Sequence, residues 1–184
     1  MDSLNLKGPY KFIGEPSIFD ALDEGVNGVY LWCVKTDDDL FRVYYVGEAI
    51  DIKKRMRVHL GNQRSGKYTG HNIGKLKENI RILMHRAKEG MIPRFSHIDS
   101  ESYNKEIAEN LYLFYSQLPT AATDHDSKWL RCRYETGLVT HIENQGQNIV
   151  SVGSTWNWKG DPDTVNIDTG SSNIEYLSGQ EMIV

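Results

Sequence analysis

Two short apolar runs stand out near the start of the chain, GVYLWCVK (28–35) and FRVYYVG (41–47). Both are rich in Val, Tyr and Trp, and the polar Thr36-Asp37-Asp38-Asp39 separates them, so they predict two strands joined by a turn. Strict alternation sets Tyr30 on one face with Trp32 and Val34, and sets Tyr45 on a face with Val43. Gly47 is expected to stop the second strand. A helix follows, with Asp51 as its cap and Ile52, Met56 and Leu60 spaced by four. Ahead of the strands, Pro16-Ser17 with Ile18, Phe19, Ala21 and Leu22, then Gly25, predicts a short capped helix.

Further along, GNQRSGKYTGHNIG (61–74) is a polar, glycine-rich loop. Leu76, Ile80, Leu83 and Ala87 predict a second long-helix stripe, and NLYLFYSQL (110–118) a third strand closed by Pro119. A third long helix is expected from about Lys128 to Asn144. Beyond Gly146 the chain is rich in Gly, Asn, Ser and Asp, with one expected late strand at 174–177. The order is β-β-α-α-β-α: an α/β (α+β) fold with a small, mainly antiparallel three-stranded sheet flanked by helices. No internal repeat or linker divides the 184 residues, so one domain is expected.

Charge changes this picture. The net charge of the whole chain is −4, yet residues 42–94 hold 13 Lys/Arg against four acids, a net +9, and no basic residue follows Lys159. A basic working surface with an acidic tail over 159–184 is one reading. Helices with solvated basic faces are the other. The two cysteines, Cys33 and Cys132, lie far apart and predict buried thiols of a reduced, intracellular protein. The N-terminus has no signal-peptide pattern, and no apolar run reaches membrane-spanning length, so no membrane partner is expected.

Candidate chemistry gathers on two helices. In DIKKRMRVHL (51–60), Arg55 and His59 share a face that borders the apolar stripe. Arg forks phosphate oxygens and His moves protons near neutral pH. In KWLRCRYETGLVTHIENQ (128–145), Glu135 falls inside the arc of Leu138, Val139 and Ile142. A carboxylate there needs compensation. Either Arg131, one turn earlier, pairs with it, or a divalent metal does, and helix geometry favours the ion pair. The histidines and cysteines lack zinc-site spacing, DHD (124–126) reads as a capped polar loop, and no Walker loop, dinucleotide fingerprint or Gly-x-Ser-x-Gly elbow is present.

Taken in order, Gly28-Val29-Tyr30, Tyr45-Val46-Gly47, Arg55 with His59, and Glu135 with Leu138-Val139 resemble the GIY-YIG nuclease superfamily over about residues 26–150. The resemblance implies a metal-dependent DNA endonuclease, of restriction or repair/recombination type. The alternative is a nucleic-acid-binding module that keeps the fold without cleaving. It implies Tyr30, Tyr45, Arg55, His59 and Glu135 as catalytic residues, with one Mg²⁺ or Mn²⁺ on Glu135. Tyr30 would act as general base or relay a proton to His59, and would need a cation such as Arg55 to ionise easily. The family's Asn corresponds to Asn148 or, further on, Asn157. Lys53, Lys54, Arg57, Arg64 and Lys67 are the expected DNA contacts, the last two within a basic insertion over about 61–109. DNA is the expected substrate, the chain acting as a monomer or homodimer in the cytoplasm, nucleoid or nucleus, with a partner protein as one source of specificity.

Overall fold

The computed structural model describes residues 3–64, 70–80, 83–85, 105–106, 108–147, 149 and 163–184. Two strands that the apolar pattern did not announce open it, β1 (Ser3–Asn5) and β2 (Lys7–Lys11). The short helix α1 (Ile18–Ala21) follows, its N-terminus capped by the Ser17 hydroxyl, which accepts from the Phe19 N–H at 3.1 Å. The expected hairpin forms from β3 (Gly28–Lys35) and β4 (Phe41–Ala49). Its turn is closed by reciprocal bonds between Thr36 and Leu40, with Asp39 in the left-handed region at φ 63°. Helix α2 (Ile52–Arg64) begins where expected, with the Asp51 carboxylate accepting from the Lys54 N–H at 2.9 Å.

The chain then departs from the expected second long helix. A two-residue strand β5 (Gly70–His71) leads to the five-residue helix α3 (Ile73–Lys77), and Leu83–His85 is a strand, β6, paired with β5. The helix ends because Asn79 takes a left-handed φ of 60°, which breaks the helical spacing of Leu76, Ile80 and Leu83. Ala87 lies outside the described residues. Strand β7 (Leu111–Gln117) matches expectation. Helix α4 (Asp124–Asn144) starts earlier than Lys128, because Thr123 caps it and Asp124 and Asp126 suit its positive first turn.

The last described segment is no simple acidic tail. It forms β8 (Thr164–Asp168) and β9 (Glu181–Ile183). The late strand expected at 174–177 is instead a turn, joined to β4 by an isolated bridge from Ile174 to Phe41.

Four strands make the main sheet in the order β2-β7-β3-β4, every pair antiparallel, one strand more than expected. A second sheet runs β1-β8-β9, its β1/β8 pair parallel. Side chains from the two faces of the main sheet enter separate cores. Val29, Leu31, Cys33, Val43, Val46 and Phe114 pack with Leu138 and Ile142 of α4 and with Leu4, Val165, Ile167 and Met182 of the second sheet. Tyr30, Trp32 and Val34 pack on the other face with Ile52 and Met56 of α2 and Ile73 and Leu76 of α3. Both cysteines are buried free thiols, as expected.

Candidate active site

The sheet itself brings the two signature tyrosines together. A bulge between Trp32 and Cys33 shifts the β3/β4 register, so that Trp32 faces Tyr45 while Cys33 faces Val43, with Tyr44 between them. Tyr45 therefore shares a face with Trp32 and Tyr30, and Val43 points the other way into the α4 core. Strict alternation had put Tyr45 with Val43, and the extra residue overturns that.

Gly47 has a different role from the one expected. The strand does not stop there but runs on to Ala49, with Gly47 opposite Tyr30. A Cβ on Gly47 would lie 2.5 Å from both Cζ and Oη of Tyr30. The phenol thus lies in the space that a side chain at 47 would take. Gly28, at the start of the first signature, is pressed in the same way against the Ser116 carbonyl of β7.

Helix α2 completes the cluster. Ile52 and Met56 anchor it in the core, which turns His59 inward, where it is 3% exposed. The Tyr30 hydroxyl and His59 Nε2 lie 2.8 Å apart in a buried hydrogen bond. The imidazole stands edge-on to Trp32 with centroids 4.9 Å apart, and Tyr45 lies 6.1 Å from Tyr30 and 5.2 Å from Trp32. Arg55, one turn before His59, is at the surface beside them.

Electrostatics assigns protonation states. Burial pushes the Tyr30 phenol well above its ordinary value and the neighbouring Tyr45 adds to the rise; Arg55, by hydrogen bond and by charge, offsets only part of it. The cation that Tyr30 would need is beside it in Arg55, but desolvation outweighs it. His59 is lowered to about 3, first by burial and then by the charge of Arg55. Both groups are neutral near pH 7. A neutral phenol donates, and a neutral imidazole with an unprotonated Nε2 accepts.

Glu135 comes from elsewhere. It is buried, at 8% exposed, on α4, the helix packed against the opposite face of the sheet from Tyr30 and His59. The two faces meet at β4, the outer strand of the sheet. The ion pair expected from Arg131 to Glu135 is not the one formed: Arg131 Nε donates to Glu48 Oε2 at 2.7 Å. Among the described residues no group of three or more His, Cys, Asp or Glu side chains could hold a metal ion. The donor chemistry still fits a Mg²⁺ site of the sparse kind. Such a site takes one or two carboxylates and completes its shell with water and substrate phosphate.

The expected DNA contacts divide. Lys53 is turned inward, its ammonium donating to the Leu22 carbonyl at 2.7 Å, and Arg57 pairs with Glu24 at 2.7 Å. Both tie α2 to the α1 end of the chain. Lys54 is exposed on the outer side of the helix. Arg64 ends α2, but its side chain lies outside the described residues, as do Lys67, Asn148 and Asn157. The basic segment is also partly neutralised from outside itself: Glu175 forks the half-buried Arg42, with Nε–Oε2 at 2.5 Å and Nη2–Oε1 at 2.9 Å.

Two neighbours were not anticipated, Trp32 against His59 and Glu48 against Arg131. Trp32 is two residues past Tyr30 and Glu48 directly follows Gly47, so position was the only available signal. A cavity of about 480 Å³ between α4 and β9, lined by Trp129, Arg133, Thr136 and Ile183 among others, is remote from the phenols. It holds none of the residues named above as catalytic. Among the described residues no helix is long and apolar enough to cross a membrane.

Comparison with protein families finds one match, the GIY-YIG catalytic domain, over residues 26–110. No curated protein and no solved structure matches the chain. The matched span takes in both signature strands, Arg55 and His59, and ends as β7 begins. By that match residues 26–110 resemble the catalytic domain of the GIY-YIG nuclease superfamily.

Proposed function

We propose that the protein is a Mg²⁺- or Mn²⁺-dependent endonuclease that hydrolyses phosphodiester bonds in DNA. The observation that carries this reading is the 2.8 Å bond between Tyr30 and His59, held over Gly47 with Arg55 alongside. Hydrolysis needs a base for the attacking water and a cation for the charge that builds on the phosphate. Tyr30 is too reluctant an acid to wait as a phenolate. It instead takes the water's proton as its own passes to His59 Nε2, so that Tyr30 stays neutral and the proton rests on the imidazole. Arg55 binds the phosphate. That anion opposes the guanidinium charge which depresses His59, and so raises the imidazole's proton affinity only when substrate is present. Tyr45 orients the water or touches the phosphate. Glu135 would hold the metal ion, which when bound supplies charge stabilisation near the leaving oxygen.

The phosphate lies, in this reading, across the edge of β4, where groups from both faces of the sheet can reach it. The protein works inside the cell on DNA, as monomer or homodimer. The second reading, a binding module without cleavage, draws on Glu135 and the phenols standing on opposite faces of the sheet. One experiment separates the two. Supercoiled plasmid, a branched junction and single-stranded DNA are incubated with the protein, with and without Mg²⁺, and the ends are mapped. The nuclease reading expects metal-dependent cuts in at least one substrate, and expects Glu135→Gln to bind that DNA without cutting it. Tight binding with no cleavage in Mg²⁺ or Mn²⁺ would leave the binding module standing.

A further inference from the structure

A buried indole usually finds a hydrogen-bond partner for its N–H. Trp32 is 7% exposed, and its N–H is buried with no such partner among the described residues. That is a cost which Phe or Leu at the same place would not carry. The ring is held from several sides. On the sheet it lies between Leu113 of β7 and Tyr45 of β4, its partners in register. Phe12, Tyr44 and Tyr45 pack on it with ring centroids 5.6, 6.0 and 5.2 Å away. Its nearest ring is the His59 imidazole, at 4.9 Å and 73° to its own plane.

A histidine ring has one soft freedom. Rotation about the bond from Cβ to the ring is broad and roughly two-fold. A half-turn puts Cε1 in the place of Nε2, and a carbon cannot accept the proton of a phenol. The helix backbone does nothing to prevent this; the rings around the imidazole do. Tyr30 and Tyr45 also stand near edge-on to it, at 5.8 and 6.2 Å, and Trp32 is closer than either.

We propose that Trp32 is a positioning residue: its ring fixes the rotation of the His59 imidazole, so that Nε2 and not Cε1 meets the Tyr30 hydroxyl. This role rests on the proton relay proposed above. Trp32 and Tyr30 are two residues apart on an inner strand of the sheet, so the proton's donor and the wall behind its acceptor share one rigid frame. Without the wall the imidazole spends part of its time turned, and the relay then has no acceptor.

The test is the ¹⁵N spectrum of the histidines of the full chain at pH 7, which reports the nitrogen that carries the proton. Single-turnover DNA cleavage and thermal unfolding run in parallel, and His59→Phe assigns the signal. Wild-type His59 should show one tautomer, protonated at Nδ1 with a bare Nε2. In Trp32→Leu a second form protonated at Nε2 should appear. The cleavage step should slow by about 10-fold or more, part of a general base's contribution, with DNA affinity close to wild type. In a His59→Phe background the same substitution should cost less than about threefold, because no imidazole remains to be positioned. Trp32→Phe keeps a smaller ring and removes the unsatisfied N–H. It should fall between wild type and Trp32→Leu, and decides the matter should Trp32→Leu not fold. An unchanged His59 signal in Trp32→Leu, or in Trp32→Phe if that alone folds, overturns the proposal. Equal rate losses with and without His59 also overturn it and leave Trp32 as packing. A wild type protonated at Nε2 overturns the relay together with the proposal. A wild type that cuts no DNA overturns the nuclease reading, while spectra that change as expected still leave Trp32 holding the ring.

Discussion

Gly47 is a residue whose identity is set by another residue's ring. Tyr30 fills the place of its missing side chain, so Gly47→Ala puts a methyl 2.5 Å from the phenol carbon and oxygen. The ring has to swing, and the bond to His59 goes with it. The expected result is a folded protein with turnover down by about 10²-fold, the scale of a lost general base. Circular dichroism beside single-turnover cleavage checks it, and near-normal turnover would show that cleavage does not need the phenol in its place over Gly47. His59 makes a second prediction, about pH. Its folded value is about 3, against 6.5 for an ordinary histidine. Below pH 6.5 the unfolded chain takes up a proton that the folded chain refuses, so the stability this group contributes is complete above 6.5 and is lost as pH falls toward 3. The steepest loss from one such group is about 1.4 kcal/mol per pH unit. Urea unfolding from pH 7.5 to 4.5 should show a shallower fall for His59→Phe than for wild type. Parallel curves would mean that the imidazole is not held neutral.

Among the elements, α2 does three things with three flanks. Ile52, Met56 and His59 face the core, Arg55 faces the phenols, and Lys53 with Arg57 faces α1. Lys53→Met should therefore lower the melting temperature by about 2–4 °C and leave the salt dependence of DNA binding unchanged. Arg55→Ala should flatten that dependence by about 0.9 in log–log slope, as one lost phosphate contact does. A flattened slope in Lys53→Met would return that lysine to the DNA surface. These elements also show how much of the fold could be read in advance. β3, β4 and β7 were legible as short runs rich in Val, Leu, Tyr and Phe, and α2 and α4 from apolar residues at helical spacing, Ile52 with Met56 and Leu138 with Ile142, and from their cap signals. β1 and β2 were not, since SLN and KGPYK have no such run and become strands by pairing with β8 and β7. Tyr30, Tyr45, Arg55 and His59, grouped by the resemblance, do lie on one side of the sheet, while Glu135 comes from the helix on the other. The bulge at Tyr44, the packing of Trp32 on His59 and the turn of Arg131 toward Glu48 could not be read in advance, because each depends on which residue lies across a strand.

The whole molecule joins the two ends of its chain. β8 lies between β1 and β9, and Val165, Ile167 and Met182 share a core with β3, β4 and α4. Met182 is 1% exposed and Val184 7%. Deleting residues 181–184 should then cost several side chains of buried apolar area, about 3 kcal/mol or more, and not merely trim an acidic end. A urea midpoint equal to that of the intact chain would contradict this. The +9 of residues 42–94 is tempered at the same level, since Glu175 and Glu24 reach in from outside that segment.

The account turns on whether the Tyr30–His59 bond is machinery or packing, and the most direct measurement is the single-turnover rate of Tyr30→Phe on a DNA that the wild type cuts. The substitution removes one oxygen and keeps the ring over Gly47. The predicted result is a loss of about 10²-fold or more in the cleavage step, with DNA affinity and melting temperature close to wild type. A rate within about threefold of wild type would contradict the account, because a group that carries the water's proton cannot be removed at so small a cost.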